Sequence, residues 1–186
     1  MDLVEEHKML TTSPTSRYAL AKSFSLRLLP RRLYAIGKDP TKSEVLLSRL
    51  FKLSLHSLRG YAEVKELTSE SALVHLIDVV AGQRYAQCRE LAVLLGYLDS
   101  APDSALREVT ALKLEWRNAL SALKAEDVVG FTKHACKAER RLQSALLTAA
   151  KRIGSEPVTE RLQNFAMNIS SVCERMEELM SEQHQY

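Results

Sequence analysis

The sequence predicts an all-α protein: an antiparallel four-helix bundle with an extra helix in its middle connection and an N-terminal extension. Three observations carry this. Glycine and proline are scarce, six and five in 186 residues, and aromatic residues are only 6%, while abundant Leu and Ala lose little rotamer freedom in a helix. Apolar residues recur at three- and four-residue spacings through several long stretches. The breaks between those stretches are short, which makes successive helices antiparallel neighbours. With 46% apolar and 26% charged residues, the chain is ordinary for a globular protein and long enough to bury one core.

Residues 1–42 read as an extension and 43–182 as the bundle. In the extension, Thr11-Thr12-Ser13-Pro14-Thr15-Ser16 is a loop signal. Residues 16–29 can form one short helix with Leu20, Phe24 and Leu28 on a face, ended by Pro30. The first bundle helix is expected over 43–67, with Ser43 as N-cap, Glu44 in the first turn, and Leu47, Leu50, Phe51, Leu58 and Tyr61 inward. The second, over 71–95 and stopped by Gly96, has the stripe Leu73, Ile77, Val80, Arg84, Cys88, Leu91 and Leu95. A third follows from Pro102 to 123, with Val109, Leu112, Trp116, Leu120 and Leu123 inward. After the break at Ala125-Glu126-Asp127, a helix over 127–153 carries Val128, Ala135, Glu139, Leu142, Leu146, Ala149 and Ile153. Gly154-Ser155-Glu156-Pro157 is a turn, and the last helix, over 157–180, buries Val158, Leu162, Phe165, Ile169, Val172, Met176 and Leu179.

Charge and cysteine usage narrow the function classes. The net charge of +3 is uneven: −2 over residues 1–10, +6 over 11–42, and −1 over the remainder. The basic character therefore belongs to the extension. Cys88, Cys136 and Cys173 form no CxxC pair, which speaks against a disulfide framework or structural zinc and for buried free thiols in a reducing, cytoplasmic setting. No apolar run reaches the length of a membrane span. The acidic opening Met1-Asp2-Leu3-Val4-Glu5-Glu6 is unlike a secretory signal, and with Pro30 it weighs against reading the Ser- and Arg-rich stretch 13–38 as a transit peptide.

The order of features resembles that of the small bacterial ferritin-like family, relatives of rubrerythrin. The residues that carry the likeness are Gly60-Tyr61 in the first helix, Glu90-Leu91 and Gly96 late in the second, Trp116-Arg117-Asn118-Ala119-Leu120 in the extra helix, and Glu126-Asp127 followed by Glu139. The likeness spans residues 44–180 and implies a four-helix ferritin-like bundle. It also implies where a di-metal site would sit, and there this chain departs from the pattern. Such sites take one Glu from each of two helices and Glu-x-x-His from the other two, because hard cations need anionic oxygen. The corresponding positions hold Ser54, Leu58 and Arg59, then Gln83 and Ala86, then Ser170 and Cys173; only Glu139 is an acid, and no Glu-x-x-His occurs. No di-iron site, metal or other cofactor is expected, and no small-molecule substrate is identified.

Arg84 and Glu139 each interrupt an apolar stripe near mid-helix. A buried charge needs a partner, so the two are read as an interior pair, with Arg59 a possible third member; a register shift that puts both at a boundary is the competing reading. His134, Cys136 and Glu139 lie close in sequence, but 134 and 136 point about 200° apart on a helix and cannot share an ion. No GxSxG, Walker or GxGxxG motif occurs, so an enzyme is not expected. Leu46, Leu53 and Val64 lie outside the main stripe of the first helix and are read as a partner surface. Arg27, Arg31 and Arg32 form a short basic patch beside Tyr34, which nominates an anionic surface, nucleic acid or lipid, as a lesser alternative. The leading expectation is a non-catalytic interaction module that binds a protein partner or itself. A divergent metal-binding stress protein is the second.

Overall fold

The computed structural model describes residues 42–95 and 106–183; the basic patch Arg27, Arg31 and Arg32, and the extension apart from Lys42, lie outside the described residues. Among the described residues there are five helices and no strand: α1 (Lys42–Leu67), α2 (Ser71–Leu94), α3 (Leu106–Lys124), α4 (Val128–Ala150) and α5 (Glu156–Gln183). α1 packs against α2, α3 and α4, and α4 packs against α1, α3 and α5. These two helices therefore form the middle of the molecule.

The helix ends follow local chemistry. Ser43 lies inside α1 rather than ahead of it. The Asp127 side chain caps α4, accepting from the Gly130 N–H at 2.8 Å. The hairpin between α3 and α4 closes with the Asp127 N–H on the Ala122 carbonyl at 2.9 Å and the Glu126 N–H on the Leu123 carbonyl at 3.0 Å. That is a Schellman closure, and it places Glu126 at φ 58°, in the left-handed region. α4 ends at Ala150, three residues earlier than the periodicity suggests. The Thr159 hydroxyl of α5 reaches the carbonyl of Ala150, the last residue of α4, at 3.2 Å and that of Ile153 in the turn beyond at 2.9 Å.

The predicted stripes form one continuous core. Every stripe residue of α2 is buried, as are Ala135, Leu142, Leu146, Ala149 and Ile153 along α4 and Leu162, Ile169, Val172 and Met176 on α5. Phe51, Val109, Leu120, Leu123, Val158 and Phe165 are partly buried against that core. α3 docks where α1 has no side chain: a Cβ on Gly60 would fall inside the Trp116 indole. The neighbouring Tyr61 ring meets Trp116 edge-on, centroids 4.6 Å apart at 71°.

This packing corrects the partner surface placed on Leu46, Leu53 and Val64. Leu53 is 1% exposed, Val64 is 0% exposed, and Leu46 is partly buried against the core. α1 has neighbours on three sides, so its second apolar face serves the chain's own core. A cleft of about 200 Å³ opens between α1 and α4, lined by Arg49, Leu53, Arg141, Ser144, Ala145 and Thr148, but it leaves Leu53 almost wholly covered.

Candidate functional site

The most distinctive chemistry lies at the centre of the bundle, where α1, α2 and α4 each contribute polar side chains at core positions. Arg84 follows Ile77 and Val80 on the buried stripe of α2, and Glu139 follows Ala135 on that of α4. Both are sealed from solvent, at 1% and 0%. They meet there: Glu139 Oε2 accepts from Arg84 NH2 at 2.5 Å and from Nε at 3.1 Å. Its other oxygen, Oε1, accepts from the Ser57 hydroxyl of α1. Arg84 NH1 donates to Gln87 Oε1 at 3.2 Å, one turn along α2. Gln87 Nε2 donates to Ser54 Oγ at 2.9 Å, and Ser54 donates to the Leu50 carbonyl at 2.8 Å. The pair is thus the centre of a five-residue network that ends on the backbone of α1. Arg59 is outside it, half-buried and close enough to His56 to act on its charge.

The electrostatics follow from the burial. Burial works against the charge of Arg84, but the Glu139 carboxylate and its hydrogen bonds outweigh that and hold the guanidinium pKa above its ordinary value. Tyr61, fully buried nearby, is raised well above its ordinary value by burial and then by the Glu139 charge, with Arg84 opposing. Its hydroxyl has no hydrogen-bond partner among the described residues. Cys88, beside Arg84, is pushed up to about 12 by burial, which leaves it an inert thiol.

The residues considered together as metal ligands point in three directions. His134 Nδ1 meets Glu115 Oε2 of α3 at 2.9 Å, where Arg141 NH2 also reaches Oε1 at 3.3 Å. Cys136 contacts Cys173 on α5, and Glu139 is held by Arg84 and Ser57. At the other positions where a ferritin-like site would have ligands, Ser54 sits in the network and Leu58 is core. Gln83 is half-buried, Ala86 faces solvent, and Ser170 accepts from Gln143 Nε2 at 2.6 Å. Among the described residues no three His, Cys, Asp or Glu side chains converge. Both Glu139 oxygens are already engaged with protein donors, so the arrangement locks three helices together and presents no open group to a substrate or to a hard cation.

The members of the network that sequence reasoning passed over are Ser54, Ser57 and Gln87. The signal was available: Leu50, Ser54, Ser57 and Tyr61 lie at helical spacing on one face of α1, so two hydroxyls interrupt an apolar stripe facing the Arg84 and Glu139 stripes. No family's sequence profile, no curated protein and no solved structure matches the chain.

Proposed function

We propose that the protein is a non-catalytic helical scaffold, a ferritin-like four-helix arrangement of α1, α2, α4 and α5 with α3 in the middle connection, that associates with a second copy of itself through the outer face of α2. The interior supports the first half of this reading. Its central carboxylate is committed to an arginine and a serine, as a structural tie is.

Gly82 carries the second half. It sits in the middle of a 24-residue helix, where glycine costs about 1 kcal/mol relative to alanine. Among the described residues nothing lies within 4 Å of where its Cβ would be, so their packing gains nothing from the missing side chain. A close approach from outside would. On either side of half-buried Gly82 the exposed positions Ala72, His75, Val79, Ala86, Arg89 and Val93 continue a three-four spacing through it. Val79 and Val93 are 46% and 58% exposed, and among the described helices α2 has α1 as its one extensive neighbour.

The pattern is self-complementary. If two copies of α2 cross antiparallel with Gly82 opposite Gln83 of the second copy, Val79 faces Ala86, Ala72 faces Val93, and His75 faces Glu90. Large meets small along the seam, as close helix packing requires. Light scattering on the eluting protein tests this: the wild type runs as a dimer, while Gly82→Leu and Val79→Glu run as monomers with helicity unchanged. A wild type that is monomeric at high micromolar concentration overturns the reading.

A further inference from the structure

A second interior cluster, separate from the Arg84–Glu139 network and from the α2 seam, holds three sulfur atoms. Cys136 of α4 faces Cys173 and Met176 of α5, which are one turn apart on one helix face. Cys136 Sγ is 3.9 Å from Met176 Sδ. Each thiol also reaches the other residue's backbone carbonyl, at 3.8 and 3.9 Å. The three residues are 3%, 4% and 2% exposed. A cation bound in the plane of three sulfurs at about 2.3 Å would set those sulfurs about 4 Å apart. Cys136 and Met176 already stand at that separation.

We propose that Cys136, Cys173 and Met176 form a three-coordinate site for a soft monovalent cation, copper(I). Two thiolates and a thioether are ligands that favour copper(I) over hard cations. Zinc fits less well, because it takes four ligands and no third His, Cys, Asp or Glu joins the two thiols among the described residues. On binding, three metal–sulfur bonds form, the two thiols release their protons to solvent, and no electron is transferred. The site gains one positive ion and loses two protons, so its net charge falls by one.

The neighbouring thiol and then burial hold Cys136 above its ordinary range, with Glu177 adding and Arg140 opposing, while Cys173 is lowered by its partner thiol against burial; copper(I) must therefore displace the Cys136 proton. Tyr61, whose hydroxyl lacks a partner among the described residues, is within electrostatic range of both thiols. Access is short. Arg140 and Glu177, one turn beyond Cys136 and Cys173, form an exposed ion pair at 2.7 Å across α4 and α5, and such a pair parts at little cost.

The test is a copper(I) titration of the full, reduced chain without oxygen, in competition with a chromophoric copper(I) chelator. One equivalent is retained, with X-ray absorption reporting three sulfurs at about 2.3 Å. Cys136→Ser and Cys173→Ser each weaken binding at least about 100-fold. Met176→Leu, which conserves volume, weakens it about tenfold and leaves two sulfurs in the absorption spectrum. Cys88→Ser, on α2, binds as the wild type does. Circular dichroism checks each variant's fold; if a serine variant unfolds, Met176→Leu decides. Failure to compete with the chelator, equal losses from Cys88→Ser, wild-type binding by Met176→Leu, or a Cys136–Cys173 disulfide as the only product would each overturn the site.

Discussion

Replacing Arg84 with Met keeps most of the side-chain volume and removes its charge, leaving the fully buried Glu139 carboxylate with the Ser57 hydroxyl as its one remaining donor among the described residues. At a charge separation of about 4 Å and an effective dielectric near 20, the lost attraction is about 4 kcal/mol. Removing one member of a buried pair costs about 3–5 kcal/mol by experience with other proteins. Against a total stability of about 5–15 kcal/mol, that is a third or more of the margin. Gln87 also loses the donor on its Oε1, which adds to the single-variant loss. Glu139→Leu strands the guanidinium instead and costs a similar amount. The double variant Arg84→Met/Glu139→Leu leaves no buried charge, so the two losses should not add: the coupling recovered is about 2–3 kcal/mol. Urea unfolding followed by circular dichroism measures all four corners of the cycle. Single variants costing under about 1 kcal/mol, or losses that sum, would refute the claim that these two side chains are sealed together in the core.

Three further outcomes follow from packing and charge. Gly60→Ala should cost about 1–3 kcal/mol despite alanine's helix advantage, because the added methyl falls on the buried Trp116 ring; wild-type stability in urea would refute the docking of α3 on α1. Glu126→Gly should gain about 1 kcal/mol, since glycine adopts φ 58° without strain, and a lower thermal midpoint would contradict the hairpin geometry. His56 is lowered from 6.5 to about 4 by burial first and then by Lys113, Arg59 and Lys52. Its unfolded form takes up a proton before the folded one does, so the stability it contributes is full above about pH 6.5 and drains away as pH falls toward 4. His56→Gln should flatten that part of the acid profile, and parallel profiles for variant and wild type would dismiss it.

The helices and most of their inward faces were legible because periodicity records burial directly: Leu73 to Leu95 along α2 is a one-sided list of residues that water disfavours. The Arg84 and Glu139 positions were legible for the opposite reason, as charges where the pattern demands hydrocarbon. What periodicity could not convey is which neighbour covers a given face. Leu53 and Val64 read as spare apolar surface on α1, since nothing in their spacing says that this helix has neighbours on three sides. Ser54 and Ser57 were passed over because a hydroxyl is small enough to pass for either surface or core. The role of Gly60 depends on Trp116, fifty-six positions away, and that of Gly82 on the open space beside it among the described residues.

Trp116 is the chain's single tryptophan, and it is seated at the α1–α3 contact against Tyr61. Intrinsic emission therefore watches one junction while the far-ultraviolet signal averages over every turn of helix. If α3 peels away before the rest melts, the indole will redden at a denaturant concentration where ellipticity has hardly moved. The molecule thus carries its own optical gauge for whether it comes apart in one step or sheds α3 first.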